Sequence, residues 1–489
     1  MSGPVRNVLL ITLDQFRGDS FGAAGHPLVR TPNLDRLCAE GVRLARHHSQ
    51  ASPCSPGRAS LYTGMYQMNH RVVGNGAPLD RRFDNVALAA RRAGYEPAVF
   101  GYTDQAIDPR DTTGPGDTRL FTYEGQLPGF DAVVDTSDGS KPWVAWLSEQ
   151  GVDVTGGESA LLASEPQRPA ELSESTFLTD RALAWLDGRT EPWFAHLSYL
   201  RPHPPYAAAG EWSRTYDPSE VELPVAPVAE RHPVHDLALT IPAATAPAEE
   251  AAIRHLRAQY YGMISEVDHQ LGRVWAALEA SDDWDRTLIL VTSDHGEMLG
   301  DHGLIQKLGY WEQSYHVLGI IRDPDRPRGH GTVVEDFTEN VDIMPTICDA
   351  MGVAVPAQCD GFPLTAFLDG RRPERWRTSA HWEYDWRGHL VGLVGHEWPW
   401  DRDLEAQHLA VLRTLEHMYV QFGDGSWLCF DMAVDPTGRT SVEDPAVVLP
   451  LAQEMLTWRS THADRTLADL VLTEGGIGRW PAMPDHWGS

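Results

Sequence analysis

The chain has 489 residues, of which 42% are hydrophobic and 22% charged, the proportions of a globular protein with room for one large α/β domain and a smaller one. A net charge of −29 argues against general nucleic-acid binding and against an anionic lipid surface as partner. No apolar run approaches the roughly 20 residues of a membrane span, and the segment from Met1 to Asn7 lacks the apolar stretch and cleavage site of a secretory leader, so cytoplasmic residence is the expectation.

In chain order, Val8 to Leu13 is a nearly continuous apolar run without alternation, the pattern of a buried parallel strand. Asp14 and Gln15 follow at its carboxyl end. Thr31-Pro32 opens a short helix, with Thr as N-cap and Pro in the first turn, closed by Gly41. A second helix spans Pro56 to Tyr62, beginning beside Cys54, and a third spans 85–94. Ala98 to Phe100 is a strand ending at Gly101-Tyr102. Residues 104–172 are rich in Gly, Pro, Asp and Thr and read as a long loop insertion over the site. A helix over 174–187 precedes the strand Trp193 to Leu200, which runs into Arg201-Pro-His203. Residues 218–247 read as irregular. The longest helix covers 248–280, where Ile253, Leu256, Tyr260, Ile264, Val267, Leu271, Val274 and Leu278 recur at helical spacing. Leu288 to Val291 is the next buried strand, leading to Asp294-His295.

Strands alternating with helices predict an α/β fold, a large mostly parallel sheet sandwiched by helices. Ligands in such folds gather at the carboxyl ends of strands, where Asp14, Tyr102, His203 and Asp294 all fall. Beyond about residue 375 the texture changes to short strands (411–414, 418–422, 427–430) and a helix over 445–460. The expected division is 1–375, the catalytic domain, and 376–489, a small antiparallel α+β subdomain with a Trp/Pro-rich tail.

Asp14, Gln15, Asp294 and His295 have the donor character of a divalent-cation site: oxygens suit Ca²⁺ or Mg²⁺, and the imidazole tilts the set toward Mn²⁺. Asp294 at a strand-to-helix turn is also open to reading as a helix cap. Five cysteines, scattered and odd in number, form neither a disulfide framework nor a zinc spacing. Cys54 differs from the others by its neighbours: Cys54-Ser-Pro56-Gly-Arg58 at the start of a helix, followed by Leu61-Tyr-Thr-Gly64. Positive charge is carried almost wholly by Arg. The two lysines are Lys141 and Lys307, and Lys307, just after the Asp-His pair, is the candidate for function. His203 and Lys307 are candidates to stabilise or protonate a leaving oxygen. Asn75 could donate to a non-bridging oxygen or simply occupy a turn after Gly74. His47, His48 and His302 have no evident place.

The Cys54-x-Pro-x-Arg core resembles the signature that directs oxidation of cysteine to formylglycine in type I sulfatases. Asn7–Asp14, Thr31–Leu37, Cys54–Gly64, Tyr260–Arg273 and Thr292–His302 resemble sulfatase blocks in order. The chain is thus similar to the alkaline phosphatase/sulfatase superfamily, and most of all to its phosphonate monoester hydrolase and arylsulfatase branch, on Leu13-Asp14-Gln15, Met68–Arg71, Gly101–Thr103, Arg201–Pro205, His381–Trp386 and His462–Leu467. The resemblance implies hydrolysis of sulfate monoesters, phosphonate monoesters or phosphodiesters by a formylglycine hydrate at position 54. It implies a divalent cation held by Asp14, Gln15, the modified Cys54, Asp294 and His295, and substrate contacts from Arg58, Asn75, Tyr102, His203 and Lys307. It also implies a small anionic ester as substrate, a formylglycine-generating enzyme as maturation partner, and a homo-oligomer, a tetramer or dimer, joined through the tail around Trp480 to Trp487. Two positions depart from the usual sulfatase pattern. Asp104 stands where many sulfatases have His and could be a base or a loop acid, and Gln15 replaces a second acidic ligand. The rival readings are a phosphatase or phosphomutase with a hydroxyl nucleophile such as Ser55, and a non-catalytic binding protein with an unmodified thiol.

Overall fold

The protein is described from a computed structural model over residues 6–228, 231–388, 402–463, 470–473 and 476–479. The first five residues, residues 464–467 of the His462 motif and the tail from Trp480 to Trp487 lie outside the described residues. Among the described residues no helix is long and apolar enough to cross a membrane.

Eight strands form the main sheet: β1 (Asn7–Leu13), β2 (Val42–His48), β3 (Ala98–Gly101), β4 (Asp131–Asp135), β5 (Phe194–Tyr199), β6 (Thr287–Thr292), β7 (Gly319–Arg322) and β8 (Thr332–Glu339). Their order is β4-β3-β5-β1-β6-β7-β2-β8. Every pairing is parallel except those of β7, which runs against both neighbours. The sheet is buried on both faces, which is why its central strands read as unbroken apolar runs. On one face Leu9, Ile11, Leu197 and Val291 pack with Phe177 and the stripe of the Glu250–Ala280 helix, every residue of which is buried. On the other, Val8, Leu10 and Leu290 pack with Leu61, Val86 and Ile347. A separate antiparallel sheet holds β9 (Ala380–Asp385), β10 (His408–Arg413), β11 (His417–Phe422) and β12 (Trp427–Asp431), in the order β12-β11-β10-β9. The Pro445–His462 helix covers one face of it through Val448, Leu451, Met455 and Trp458.

Four local expectations are corrected. Residues 104–172 are not a single loop: they contain β4 and the helices Ser137–Glu149 and Gly157–Ala163. β4 was hidden because it is an edge strand, four of its five residues being exposed, so it has no apolar run. The Thr31 side chain does not cap the Pro32–Ala39 helix. Asp268 of the long helix takes that place, accepting from the Asn33 and Leu34 amides at 3.2 and 2.7 Å, while the Thr31 hydroxyl turns to Asp35. No helix follows Ser293–Gly296, so Asp294 is not a helix cap. Residues 218–247 include the 3-10 turn Pro218–Glu220 and the short α-helix Pro233–Ala238.

Candidate active site

β3, β5, β1 and β6 are consecutive in the sheet and mutually parallel, so their carboxyl ends align and deliver Tyr102, the Arg201–His203 turn, Asp14 and Asp294-His295 to one place. Cys54 arrives from β2 as the first residue of the Cys54–Thr63 helix, whose positive dipole end favours an anion.

The ligand atoms of Asp14, Cys54, Asp294 and His295 lie within 4.8 Å of one another, and all four residues are buried. His295 Nε2 is 3.3 Å from Cys54 Sγ, 3.8 Å from Asp14 Oδ1 and 3.6 Å from Asp294 Oδ2. Its Nδ1 donates to the Gly296 carbonyl at 3.1 Å, which leaves the Nε2 lone pair for the cluster. Asp14 Oδ1 is buried with no hydrogen-bond partner among the described residues. A buried acceptor without a donor is costly, and a cation beside it removes the cost. Two carboxylates, a sulfur or its oxidised counterpart, and a lone-pair nitrogen fit a divalent ion.

Arg58, fully buried, ties this set together. Its Nε donates to Asp294 Oδ2 at 2.9 Å and one Nη to Asp14 Oδ2 at 3.0 Å. The other Nη reaches Ser198 Oγ at 2.8 Å, the Tyr102 carbonyl at 3.1 Å and Tyr62 Oη at 3.3 Å. The guanidinium also lies over the Tyr102 ring, whose hydroxyl donates to Asp14 Oδ2 at 2.7 Å. Arg58 and Tyr102 therefore orient the carboxylates, and Ser198, Tyr62 and the Tyr102 carbonyl brace the guanidinium from behind.

Lys307 Nζ lies 3.2 Å from Cys54 Sγ and donates to Gln15 Oε1 at 2.8 Å. Asp104 is buried, with Oδ2 3.9 Å from Arg58 Nε. His203 is within electrostatic reach of Asp14, Lys307 and His295, and its Nδ1 donates to the Pro204 carbonyl at 2.7 Å. Asn75 is exposed at the rim, where its Oδ1 accepts from the Ser55 amide at 3.0 Å in the first turn of the Cys54 helix. The Ser55 hydroxyl makes no hydrogen bond to any described group, so the side chain set among the ligands is Cys54 and not its neighbour. The three unplaced histidines stand apart: His47 bonds Thr338 and Asn340, His48 stacks on Trp382, and His302 stacks on Trp311.

The electrostatics follow from burial against neighbours. Burial opposes ionisation of Asp14, yet His203, Arg58 and Lys307 hold its carboxyl well below the usual range. Burial and the Asp14 charge push Asp294 up to about 6. Burial pushes Asp104 up to about 8 against the pull of Arg58, with Asp14 and Asp294 adding to the rise. Burial, then Lys307, pushes His295 down to about 3 and His203 down to about 4, so both imidazoles are neutral at pH 7. Lys307 stays charged: burial works against it, and Cys54, Asp14 and Asp294 more than compensate. Burial and Asp14 drive the Cys54 thiol well above its ordinary value.

Sequence reading missed several contributors. Gln105 Nε2 donates to the Ser55 carbonyl at 3.1 Å. Tyr260, read only as core, donates to the Gln15 carbonyl at 2.7 Å and accepts from the Arg17 amide at 3.0 Å. Glu297 accepts from Gln15 Nε2. Its one visible signal was its position two residues after His295.

A family model described as sulfatase matches residues 6–353, and a model described as N-sulphoglucosamine sulphohydrolase, C-terminal, matches residues 300–458. Over 512 aligned residues the chain is 38% identical to the multifunctional alkaline phosphatase superfamily protein PehA of Trinickia caryophylli, covering 96% of this chain and 98% of that protein. The phosphonate monoester hydrolase of Agrobacterium radiobacter has a TM-score of 0.89 and 42% identity over 97% of this chain and 99% of its own. The phosphonate monoester hydrolase SpPMH of Silicibacter pomeroyi has a TM-score of 0.86 and 34% identity over 97% of this chain and 99% of its own. The chain belongs to the sulfatase family of the alkaline phosphatase superfamily.

Proposed function

We propose that this hydrolase of sulfuric or phosphonic esters acts on sulfate monoesters, phosphonate monoesters and phosphodiesters, with residue 54 oxidised from cysteine to formylglycine as nucleophile and one divalent cation as cofactor. The observation that carries the reading is the buried convergence of Cys54 with Asp14, Asp294, His295 and Lys307 at the head of a helix. The phosphonate monoester hydrolases that match over 97% of the chain support it.

Asp14, Asp294, His295 and the residue-54 side chain would hold the cation, with Gln15 beside them. Bound there, Mn²⁺, Ca²⁺ or Mg²⁺ supplies Lewis acidity toward a substrate oxygen and toward the attacking hydroxyl. Formylglycine, once hydrated, offers one hydroxyl for attack and a second whose deprotonation releases the bound group as the aldehyde re-forms. The rest falls to the chain's own side chains. Arg58 and Tyr102 keep the two carboxylates aimed. Charged Lys307 meets the negative charge that develops at the reacting centre. His203, neutral with Nδ1–H held by Pro204, offers Nε2 to the leaving oxygen or to the proton it needs. Asp104, protonated at neutral pH before an ion binds, is a candidate to take the hydroxyl proton once a cation lowers its pKa. The same reading assigns a formylglycine-generating enzyme as maturation partner and a tetramer or dimer as the assembly.

Mass analysis of the peptide containing residue 54 tests the nucleophile: conversion replaces sulfur by oxygen and removes two hydrogens. Turnover of a nitrophenyl sulfate and a phenylphosphonate monoester, on one metal-loaded preparation, tests the reaction class. Cys54→Ala is expected to lose several orders of magnitude in kcat with the circular-dichroism spectrum unchanged, and an active alanine variant overturns the proposal.

A further inference from the structure

Gln15 is the least ordinary member of the cluster. It sits at φ 65°, a left-handed backbone uncommon outside glycine. Its backbone is held at both ends: its amide donates to Asp294 Oδ1 at 3.2 Å, and its carbonyl accepts from Tyr260, whose hydroxyl is itself held by the Arg17 amide. The remaining freedom is which end of the side-chain amide faces the site, and two fully opposed partners decide it. Lys307 Nζ, a donor only, faces Oε1 at 2.8 Å. The Glu297 carboxylate, when ionised an acceptor only, faces Nε2.

Glu297 is itself immobile. It is completely buried, and its Oε1 accepts from the Leu299 and Gln306 amides, both at 2.7 Å. That fixes the second oxygen, Oε2, toward Gln15. We propose that Glu297 is a positioning residue that holds the Gln15 amide with its oxygen toward the cation site. A carboxylate at 15 would lose the N–H that now meets Glu297. The inference rests on the cation-dependent reading above.

The pairing predicts reciprocal behaviour. In Glu297→Gln, the oxygen of the new amide stays with the two backbone N–H groups and its NH₂ meets Gln15. The Gln15 amide must then flip, presenting NH₂ to Lys307 and to the ion. In Gln15→Glu the two carboxylates face each other. In the swapped variant Gln15→Glu/Glu297→Gln, an NH₂ again meets an acceptor and an oxygen again faces the site, with the summed charge of the pair unchanged.

The experiment is calorimetric titration of Mn²⁺ into the metal-stripped full chain for the wild type, both single variants and the swap, with thermal melts of the metal-free proteins. Loss of an orienting partner costs metal affinity on the order of 10–100-fold, so each single variant is expected to lose about that much and the swap to recover to within a few-fold of the wild type. Damage of a merely structural kind would accumulate in the swap instead of reversing. Wild-type Mn²⁺ binding together with unchanged binding in Glu297→Gln, or a swap no better than the weaker single variant, overturns the proposal alone. Absence of Mn²⁺ binding by the wild type overturns the cation reading and this inference with it. If Glu297→Gln does not fold, recovery of folding and Mn²⁺ binding in the swap supports the pairing, and an unfolded swap overturns it.

Discussion

Arg58 separates two accounts of the site, one in which it reaches substrate and one in which it neutralises the ligand carboxylates. Arg58→Met keeps an apolar stem of similar length and removes the fork that bonds Asp294 at 2.9 Å and Asp14 at 3.0 Å. Both carboxylates remain fully buried, so the metal-free variant is expected to lose roughly 3–5 kcal/mol, the cost of stranding partners of a buried ion pair. A divalent cation between the same carboxylates relieves part of that loss. By the thermodynamic cycle, whatever it relieves appears as tighter ion binding, at about 1.4 kcal/mol for each factor of ten. If half the loss is relieved, Mn²⁺ binds the variant about ten- to sixtyfold more tightly, while kcat falls because the carboxylates are no longer aimed. Arg58→Lys, which keeps the charge and loses the fork, is expected to fall between. The assays are Mn²⁺ calorimetry on stripped protein and melting temperatures with and without the ion. Equal metal-free stability, or weaker Mn²⁺ binding in Arg58→Met, would refute the reasoning.

Asp104 and Arg201 give further tests. The Asp104 carboxyl binds its proton more tightly folded than unfolded, up to about 8. Its share of metal-free stability is therefore intact below the unfolded carboxylate pKa, near 3.9, and is lost as pH rises toward 8. Asp104→Asn should accordingly melt close to wild type near pH 4 and above it near pH 9, and a constant offset across that range would contradict the assignment. Arg201, fully buried, donates to the His203 and Pro205 carbonyls at 3.0 and 2.9 Å and pairs with buried Glu165. Arg201→Met should loosen the turn that carries His203, lowering kcat while leaving Mn²⁺ affinity unchanged. A parallel loss of Mn²⁺ binding would show that the turn supports the ligands as well.

The site was legible where the sheet is buried. β1, β3, β5 and β6 are short apolar runs whose following residues must lie at the carboxyl edge, so Asp14, Tyr102, His203 and Asp294 could be gathered from strand patterns alone. Adjacency of these four strands could not be read, because sheet order depends on crossovers that leave no periodic trace. β2, β4, β7 and β8 escaped notice: β2, β4 and β8 each have residues that are not buried and lack a continuous apolar run, and β7 is only four residues long. The Ser137–Glu149 helix has non-helical φ/ψ at Asp138–Ser140 and contains Pro142, both of which erase a helical pattern. The chain from Glu297 through Gln15 to Lys307 was invisible for another reason. It joins loops after β1 and β6 through side chains, and long-range hydrogen bonding between irregular segments has no sequence period.

Charge does not separate the candidate substrates. Asp14 and Asp294 are balanced by Arg58 and Lys307, and a bound divalent cation offsets the other buried acids, Asp104 and Glu297, so the site's net charge prefers none of these anions over another. Sulfate monoesters, phosphonate monoesters and phosphodiesters all present a tetrahedral centre with one negative charge. They differ in the third substituent: an oxygen, a carbon group or a second ester. Discrimination must then come from residues flanking the pocket. Tyr123 is 40% exposed, has its Cβ 3.8 Å from where a Cβ on Gly76, next to Asn75, would stand, and lies within electrostatic reach of Cys54 and Asp104. An aromatic contact with a phenyl substituent is worth roughly 0.5–1.5 kcal/mol beyond its area. A sulfate monoester has no carbon substituent in that position. Tyr123→Ala is therefore expected to lower kcat/KM for the phenylphosphonate monoester by about three- to tenfold more than for the nitrophenyl sulfate. An equal loss on both would assign Tyr123 to the shared alcohol side of the pocket, and a greater loss on the sulfate would remove it from substrate discrimination of this kind.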